Sequence, residues 1–153
     1  SAHTVLHKDF LPIFKDFIES TGVKKGDFGI EVTETAELNN LSLASLRLSS
    51  IKNLGVSIAL DDFGAGYSAL RYLKDLPIDL LKLDKSFTTE MAETHNQSLI
   101  QIAKLMADSL SMEFICEGLE EEWQIEKAIS LGCERGQGYF LHKPCSLEDL
   151  TNE

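Results

Sequence analysis

Val56-Ser57-Ile58-Ala59-Leu60-Asp61-Asp62-Phe63-Gly64-Ala65-Gly66-Tyr67-Ser68 is the stretch whose reading decides the fold. Its first five residues carry no charge, the length and composition of a buried parallel strand. Two adjacent carboxylates then end the apolar run, and a Gly-x-Gly loop follows. In α/β proteins ligands bind just past the carboxyl ends of parallel strands. Two acids there, followed by backbone pliable enough to pass close to a ligand, point to a divalent metal or a phosphate ester. The competing reading is a capping pair at a turn, since Asp and Gly are common turn residues.

The chain on either side repeats the pattern of apolar strand and amphipathic helix. Upstream, a helix from Asp9 to Ser20 carries Phe10, Ile13, Phe14, Phe17 and Ile18 at helical spacing, tolerates Pro12 in its first turn and ends at Gly22. Phe28 to Val32 reads as a strand, and Leu41 to Leu54 as a helix with Leu43, Leu46, Ser50, Ile51 and Leu54 on one face. Downstream, Ser68 caps a helix over residues 69–75, and Asp79 to Leu83 is the next strand. A long helix from Asn96 to Ser111 is expected to bury Leu99, Ile102, Ala103, Met106 and Leu110. Strand Glu113 to Cys116 precedes a helix, Glu121 to Leu131, whose core stripe is Trp123, Ala128 and Ile129. Gly138 to Leu141 reads as the last strand, and Leu147 to Leu150 begins a final helix. Strands alternating with helices predict parallel α/β structure. Five such units are too few for an eight-stranded barrel, so the sheet is open or the barrel incomplete. One domain over 1–153 is the economical reading.

At 153 residues and 43% hydrophobic, the chain can bury a real core. A net charge of −11 argues against coating nucleic acid or binding anionic lipid, so no DNA partner is expected. Cys116, Cys133 and Cys145 are odd in number and widely spaced, which fits a reducing compartment without disulfides or structural zinc. No apolar run reaches the ~20 residues of a membrane span, and the start does not resemble a signal peptide. The expectation is a cytoplasmic domain of a larger parent that is itself membrane-anchored or soluble.

Acids gather at the strand ends: Glu31 and Glu34 after the first, Asp61 and Asp62 after the second, Glu117 and Glu120 after the fourth. If the strands are neighbours, Glu31, Asp61, Asp62 and Glu117 converge on one mouth. Two carboxylates at ~4 Å repel by ~4 kcal/mol at an effective dielectric near 20, so such a group protonates or binds cations. Oxygen-only ligation suits Mg²⁺ or Mn²⁺, with Ca²⁺ as a looser fit. Lys82 stands in the apolar run Leu80-Leu81-Lys82-Leu83, where an ammonium needs partners, so an inward position is expected over the competing reading, a surface lysine on a strand edge. Facing inward, it would hold an attacking water or offset phosphate charge. Tyr67 reads as a loop anchor, and His3, His7, His95 and His142 share no metal-ligand spacing.

Taken together, Glu31-Val32-Thr33-Glu34, the Asp61 to Ser68 run, Leu80 to Asp84, Glu117-Gly118-Leu119-Glu120 and Gln137-Gly138-Tyr139-Phe140 resemble, in order and approximate spacing, the EAL domain. The likeness runs from Ser1 to about Pro144. It implies a modified (β/α)8 TIM-type barrel that hydrolyses cyclic di-GMP to the linear dinucleotide with Mg²⁺ or Mn²⁺, Ca²⁺ being inhibitory. By that resemblance Glu31, Asp61, Asp62 and Glu117 are metal ligands, and Lys82 and Glu117 are the catalytic pair, Lys82 positioning the water. Gln137, Glu34, Asp84 and Glu120 would touch substrate or support the ligands from behind, Glu34 steadying the loop at 61–68.

The Glu-Ala-Leu signature itself, and the Asn-x-Ser segment after it, are not in this sequence. Ser1 resembles the serine of the second, so the expectation is a truncated domain with about five of eight β/α units, almost inactive alone for want of upstream ligands. Its opened edges would pair with another chain, giving a homodimer or a strand-swapped oligomer. Sensory or GGDEF-type domains are the expected companions in the parent. The alternative function is a non-catalytic module that senses cyclic di-GMP or binds a protein.

Overall fold

The computed structural model describes residues 4–5, 7–22, 24, 26–33, 41–66 and 73–150. In chain order it holds helix α1 (Phe10–Thr21), strand β1 (Gly29–Thr33), helix α2 (Leu41–Lys52), strands β2 (Ser57–Phe63) and β3 (Leu80–Leu83), and helices α3 (Lys85–Thr89) and α4 (Thr94–Ser109). Strand β4 (Glu113–Cys116), helix α5 (Glu122–Ser130), strand β5 (Arg135–Gly136) and helix α6 (Leu147–Leu150) complete it. The strands pair in parallel, in the order β1-β2-β3-β4-β5. A parallel sheet laid down in chain order with helical crossovers is a sector of a (β/α) barrel, as the alternation predicts.

Strand β2 has partners on both sides, and Ile58, Ala59 and Leu60 are all buried rather than alternating, as a doubly covered parallel strand requires. Ala44, Leu48 and Ile51 of α2 join Ile58, Leu81, Leu83, Ile100 and Phe114 in one core cluster. Near the end of β2 the register to β3 shifts between Leu60 and Phe63. Asp61 and Asp62 fall inside that irregularity, and Asp62 has φ 56°, a left-handed conformation that Asp tolerates better than most residues.

Three expectations are corrected. The last strand is Arg135–Gly136, not Gly138 to Leu141. Arg135 and Gly136 pair with Ile115 and Cys116, and the chain then turns at Gly138, whose carbonyl accepts from the Leu141 and His142 N–H groups. The turn packs so closely that a Cβ on Gly138 would lie 2.1 Å from the Leu119 carbonyl oxygen. Second, α4 buries the stripe Asn96, Ile100, Ala103 and Ala107, while Leu99, Ile102 and Leu110 are exposed. The more apolar stripe lost because Asn96 is accommodated: its amide donates to the carbonyl and the carboxylate of Glu90, both at 3.1 Å. Third, several apolar residues expected inside lie exposed: Ile13 and Phe17 on α1, Leu43 and Leu46 on α2, Trp123 and Ile129 on α5. Gln124 takes the buried place on α5 beside Ala128. Helix α3 is a further element, capped by Asp84, whose Oδ1 accepts from the Ser86 N–H at 3.0 Å. The helix expected over 69–75 lies largely outside the described residues.

Candidate metal centre

Strand alternation sends Leu81 and Leu83 to one face of β3 and Lys82 to the other. Lys82 is only 5% exposed, so its ammonium must find partners inside the protein. It finds three: Nζ lies 2.8 Å from Glu31 Oε1, from Asp61 Oδ1 and from Glu117 Oε1. Each acid comes from a different strand, Glu31 from the middle of β1 and not from beyond its end as expected. Glu31 is on β1, Asp61 on β2, and Glu117 immediately follows β4, its N–H donating to the Leu83 carbonyl at 3.3 Å. The convergence expected from the strand ends is therefore present, with the lysine at its centre.

Asp62 is not a Lys82 ion-pair partner among the described contacts but faces the same space. Asp61, Asp62 and Glu117 each offer a carboxylate oxygen within 4.8 Å of the others. Burial, opposed by Lys82, raises the Glu117 carboxyl above its ordinary 4.5. Burial and then the charge of Asp61 raise Asp62 above 3.8. Burial alone would lower Lys82, but its hydrogen bonds to Asp61, Glu117 and Glu31 outweigh that and hold it above its ordinary value. Lys82 is thus a fixed cation, and one ammonium leaves four carboxylates with a surplus of negative charge. Asp61, Asp62 and Glu117 bear that surplus as half-buried, mutually close oxygen donors, while Glu31 is exposed and stands outside the trio. Such a set fits a hard divalent cation.

Gln137 and Glu120 share with Glu117 the wall of a cleft of about 540 Å³, along with Lys85, Tyr139 and His142. Asp84, two residues after Lys82, caps α3. Glu34 and Tyr67 lie outside the described residues. Sequence reasoning missed Lys85 and His142 as cleft residues, because neither belongs to a spacing pattern. It also missed Thr88 and Gln124, buried polar groups beneath the acidic loop, although a glutamine three residues after Glu121 is a capping-box signal.

A family model described as EAL domain matches residues 1–144. The chain is 38% identical over 152 residues to the signaling protein YkoW of Bacillus subtilis, covering 98% of this chain and 19% of that protein. It is 32% identical over 145 residues to the cyclic di-GMP phosphodiesterase PdeA of Borreliella burgdorferi, covering 94% of this chain and 22% of that one. Among solved structures, the PaMucR phosphodiesterase in complex with c-di-GMP superposes with a TM-score of 0.90 at 30% identity, over 98% of this chain and 61% of that one. The chain thus spans about a fifth of the length of these two curated relatives.

Proposed function

This chain belongs to the EAL domain family, and from that premise we propose that it carries the lysine and most of the metal ligands of a cyclic di-GMP phosphodiesterase, a hydrolase that opens the cyclic dinucleotide to its linear form. The supporting observation is the meeting of Glu31, Asp61 and Glu117 at the Lys82 ammonium, each at 2.8 Å, with Asp62 beside them. The likeness to PdeA and to the c-di-GMP-bound PaMucR structure supports the substrate.

Glu31, Asp61, Asp62 and Glu117 would hold Mg²⁺ or Mn²⁺, Ca²⁺ being the inhibitory substitute. When bound, such an ion supplies Lewis acidity for water and for a phosphoryl oxygen. Lys82 stays protonated, so it acts as a donor and not as a base. All three of its partners are anionic, so directing a proton at a water or a phosphate oxygen means releasing one of them. Glu31 is the cheapest to release, since its side chain is 55% exposed against 19% and 16% for Asp61 and Glu117, and water replaces the lost bond there. Asp61 and Glu117 then keep the ammonium aimed. Gln137, which lines the same cleft as Glu117, would contact the dinucleotide, with Glu120 and Asp84 supporting the loops.

The chain is read as a single EAL-type domain over 1–153, acting in the cytoplasm with sensory or GGDEF-type companions. No helix among the described residues is long and apolar enough to cross a membrane. Strands β1 and β5 are the sheet edges among the described residues, which favours a homodimer or strand exchange. The test is to incubate this chain, and the full product of its gene, with cyclic di-GMP and Mg²⁺ or Mn²⁺ and to separate the linear product. Hydrolysis by the full product that Asp61→Asn abolishes supports the proposal. Tight binding with no hydrolysis in either metal would favour the sensing module instead.

A further inference from the structure

Two buried polar side chains, Thr88 and Gln124, hydrogen-bond the backbone of the loop that carries Glu117. Thr88, on α3, is fully buried, and Gln124, on α5, is 5% exposed. The Thr88 hydroxyl has one proton to give. Its shortest contact is the Glu117 carbonyl at 2.6 Å, against 2.9 Å to Lys85 and 3.4 Å to Gly118. The Thr88 carbonyl in turn accepts from Gln124 Nε2 at 3.0 Å. Gln124 Oε1 accepts from the N–H groups of Glu120 and Glu121 at 2.7 and 2.9 Å. The loop from Glu117 to Glu121 is therefore held at both ends onto α3.

The loop needs holding. Gly118, next to the acid, has φ +69°, and a Cβ there would come within 2.5 Å of Lys85 Cβ and 3.0 Å of Thr88 Oγ1. The loop backbone lies against α3, and at its pivot it has a glycine, the residue least able to hold one conformation by itself. Helix α3 begins three residues after Lys82. The same short unit, β3 to α3, thus carries the ammonium and grips the backbone of the acid paired to it.

We propose that Thr88, assisted by Gln124, is a positioning residue for metal binding: its hydroxyl, through the Glu117 carbonyl, fixes the Glu117 carboxylate against Asp61 and Asp62. This rests on the metal-site reading above. Outer hydrogen-bond partners of metal ligands are worth about 10–100-fold in affinity.

The experiment titrates Mn²⁺ into the whole chain, by calorimetry and by loss of the free-ion paramagnetic signal, for wild type, Thr88→Val, Thr88→Ser, Gln124→Met, Asp61→Asn and Leu48→Ala. Thr88→Val keeps the shape and removes the hydroxyl, and about tenfold weaker Mn²⁺ binding is expected. Thr88→Ser restores the hydroxyl and the affinity. Gln124→Met, which loses the amide, weakens binding in the same direction and stands in if Thr88→Val does not fold. Leu48→Ala, a core truncation on α2, lowers the melting temperature without moving the affinity, which separates positioning from stability. Asp61-dependent Mn²⁺ binding that Thr88→Val and Gln124→Met leave unchanged overturns the positioning role alone. Absence of Asp61-dependent binding in the wild-type chain overturns the metal site and the positioning role with it.

Discussion

Lys82 and Asp61 lie on neighbouring strands with Nζ 2.8 Å from Oδ1, although the pairing of those strands breaks between Leu60 and Phe63. The irregularity is what makes the contact chemically useful. A regular strand would send Asp61 and Asp62 to opposite faces. With Asp62 in the left-handed region, both carboxylates reach the space shared with Glu117. Lys82 then holds together groups that would otherwise repel.

Removing that cation exposes the repulsion. Lys82→Met in the metal-free chain should cost about 2–3 kcal/mol in urea denaturation, below the 3–5 kcal/mol of a fully buried pair because Glu31 is largely solvated. Added Mg²⁺ should recover part of the loss by taking over the counter-charge. A variant as stable as wild type would mean that the acids do not depend on Lys82.

The acids also set a pH dependence. Glu117 and Asp62 are raised in the fold, by burial first, above their ordinary 4.5 and 3.8. In that window the native chain binds more protons than the unfolded one, so their contribution to stability falls as pH rises from those values through the folded ones. Metal binding requires the ionised forms, so Mn²⁺ affinity should rise over the same interval with release of protons. Calorimetry at pH 5 in two buffers of different ionisation enthalpy reads that release, and identical heats in both would contradict it. Lys82, raised above 10.5, contributes stability that is full below that pH and lost as pH climbs through its folded value.

The face that α4 buries can be tested by a pair of substitutions. Ile100→Ala removes a fully buried side chain and should cost about 2–5 kcal/mol. Ile102→Ser, on the exposed stripe, should change stability by about 0.5 kcal/mol or less. Equal costs in denaturant melts would mean the helix is rotated from the position described.

Gly138→Ala tests the turn that replaces the expected last strand. Its Cβ would meet the Leu119 backbone at 2.1–2.5 Å, which rigid backbone cannot relieve cheaply, so a loss of about 3 kcal/mol is expected. Gly132 has open space at the same test, and Gly132→Ala should cost only the left-handed penalty of about 1–2 kcal/mol. A milder effect at Gly138 than at Gly132 would contradict the packing.

Much of the site was legible because strand ends are chemically abrupt. Val56 to Leu60 is uncharged and the next residue is an acid, so Asp61 marks the change from strand to site without any coordinates. Lys82 between leucines marks an inward cation by the cost of burying it unpaired. What failed to read shares a cause too. Leu99 and Ile102 form a better apolar stripe than Asn96 and Ala107, and only the Glu90 partners of Asn96 reveal which stripe turns inward. Tyr139 to Leu141 have strand composition, but Gly138 must turn against Leu119, a contact made across the fold. Thr88 gives no local signal, because its partner Glu117 lies 29 residues away.

The central claim is that the strand-tip acids make one divalent-metal site, and crystals of the chain soaked in Mn²⁺ test it most directly. An anomalous difference peak bounded by the carboxylates of Asp61, Asp62 and Glu117, with Lys82 still beside them, is the predicted result. No peak there at millimolar Mn²⁺, or Mn²⁺ bound only at surface acids elsewhere, would contradict it.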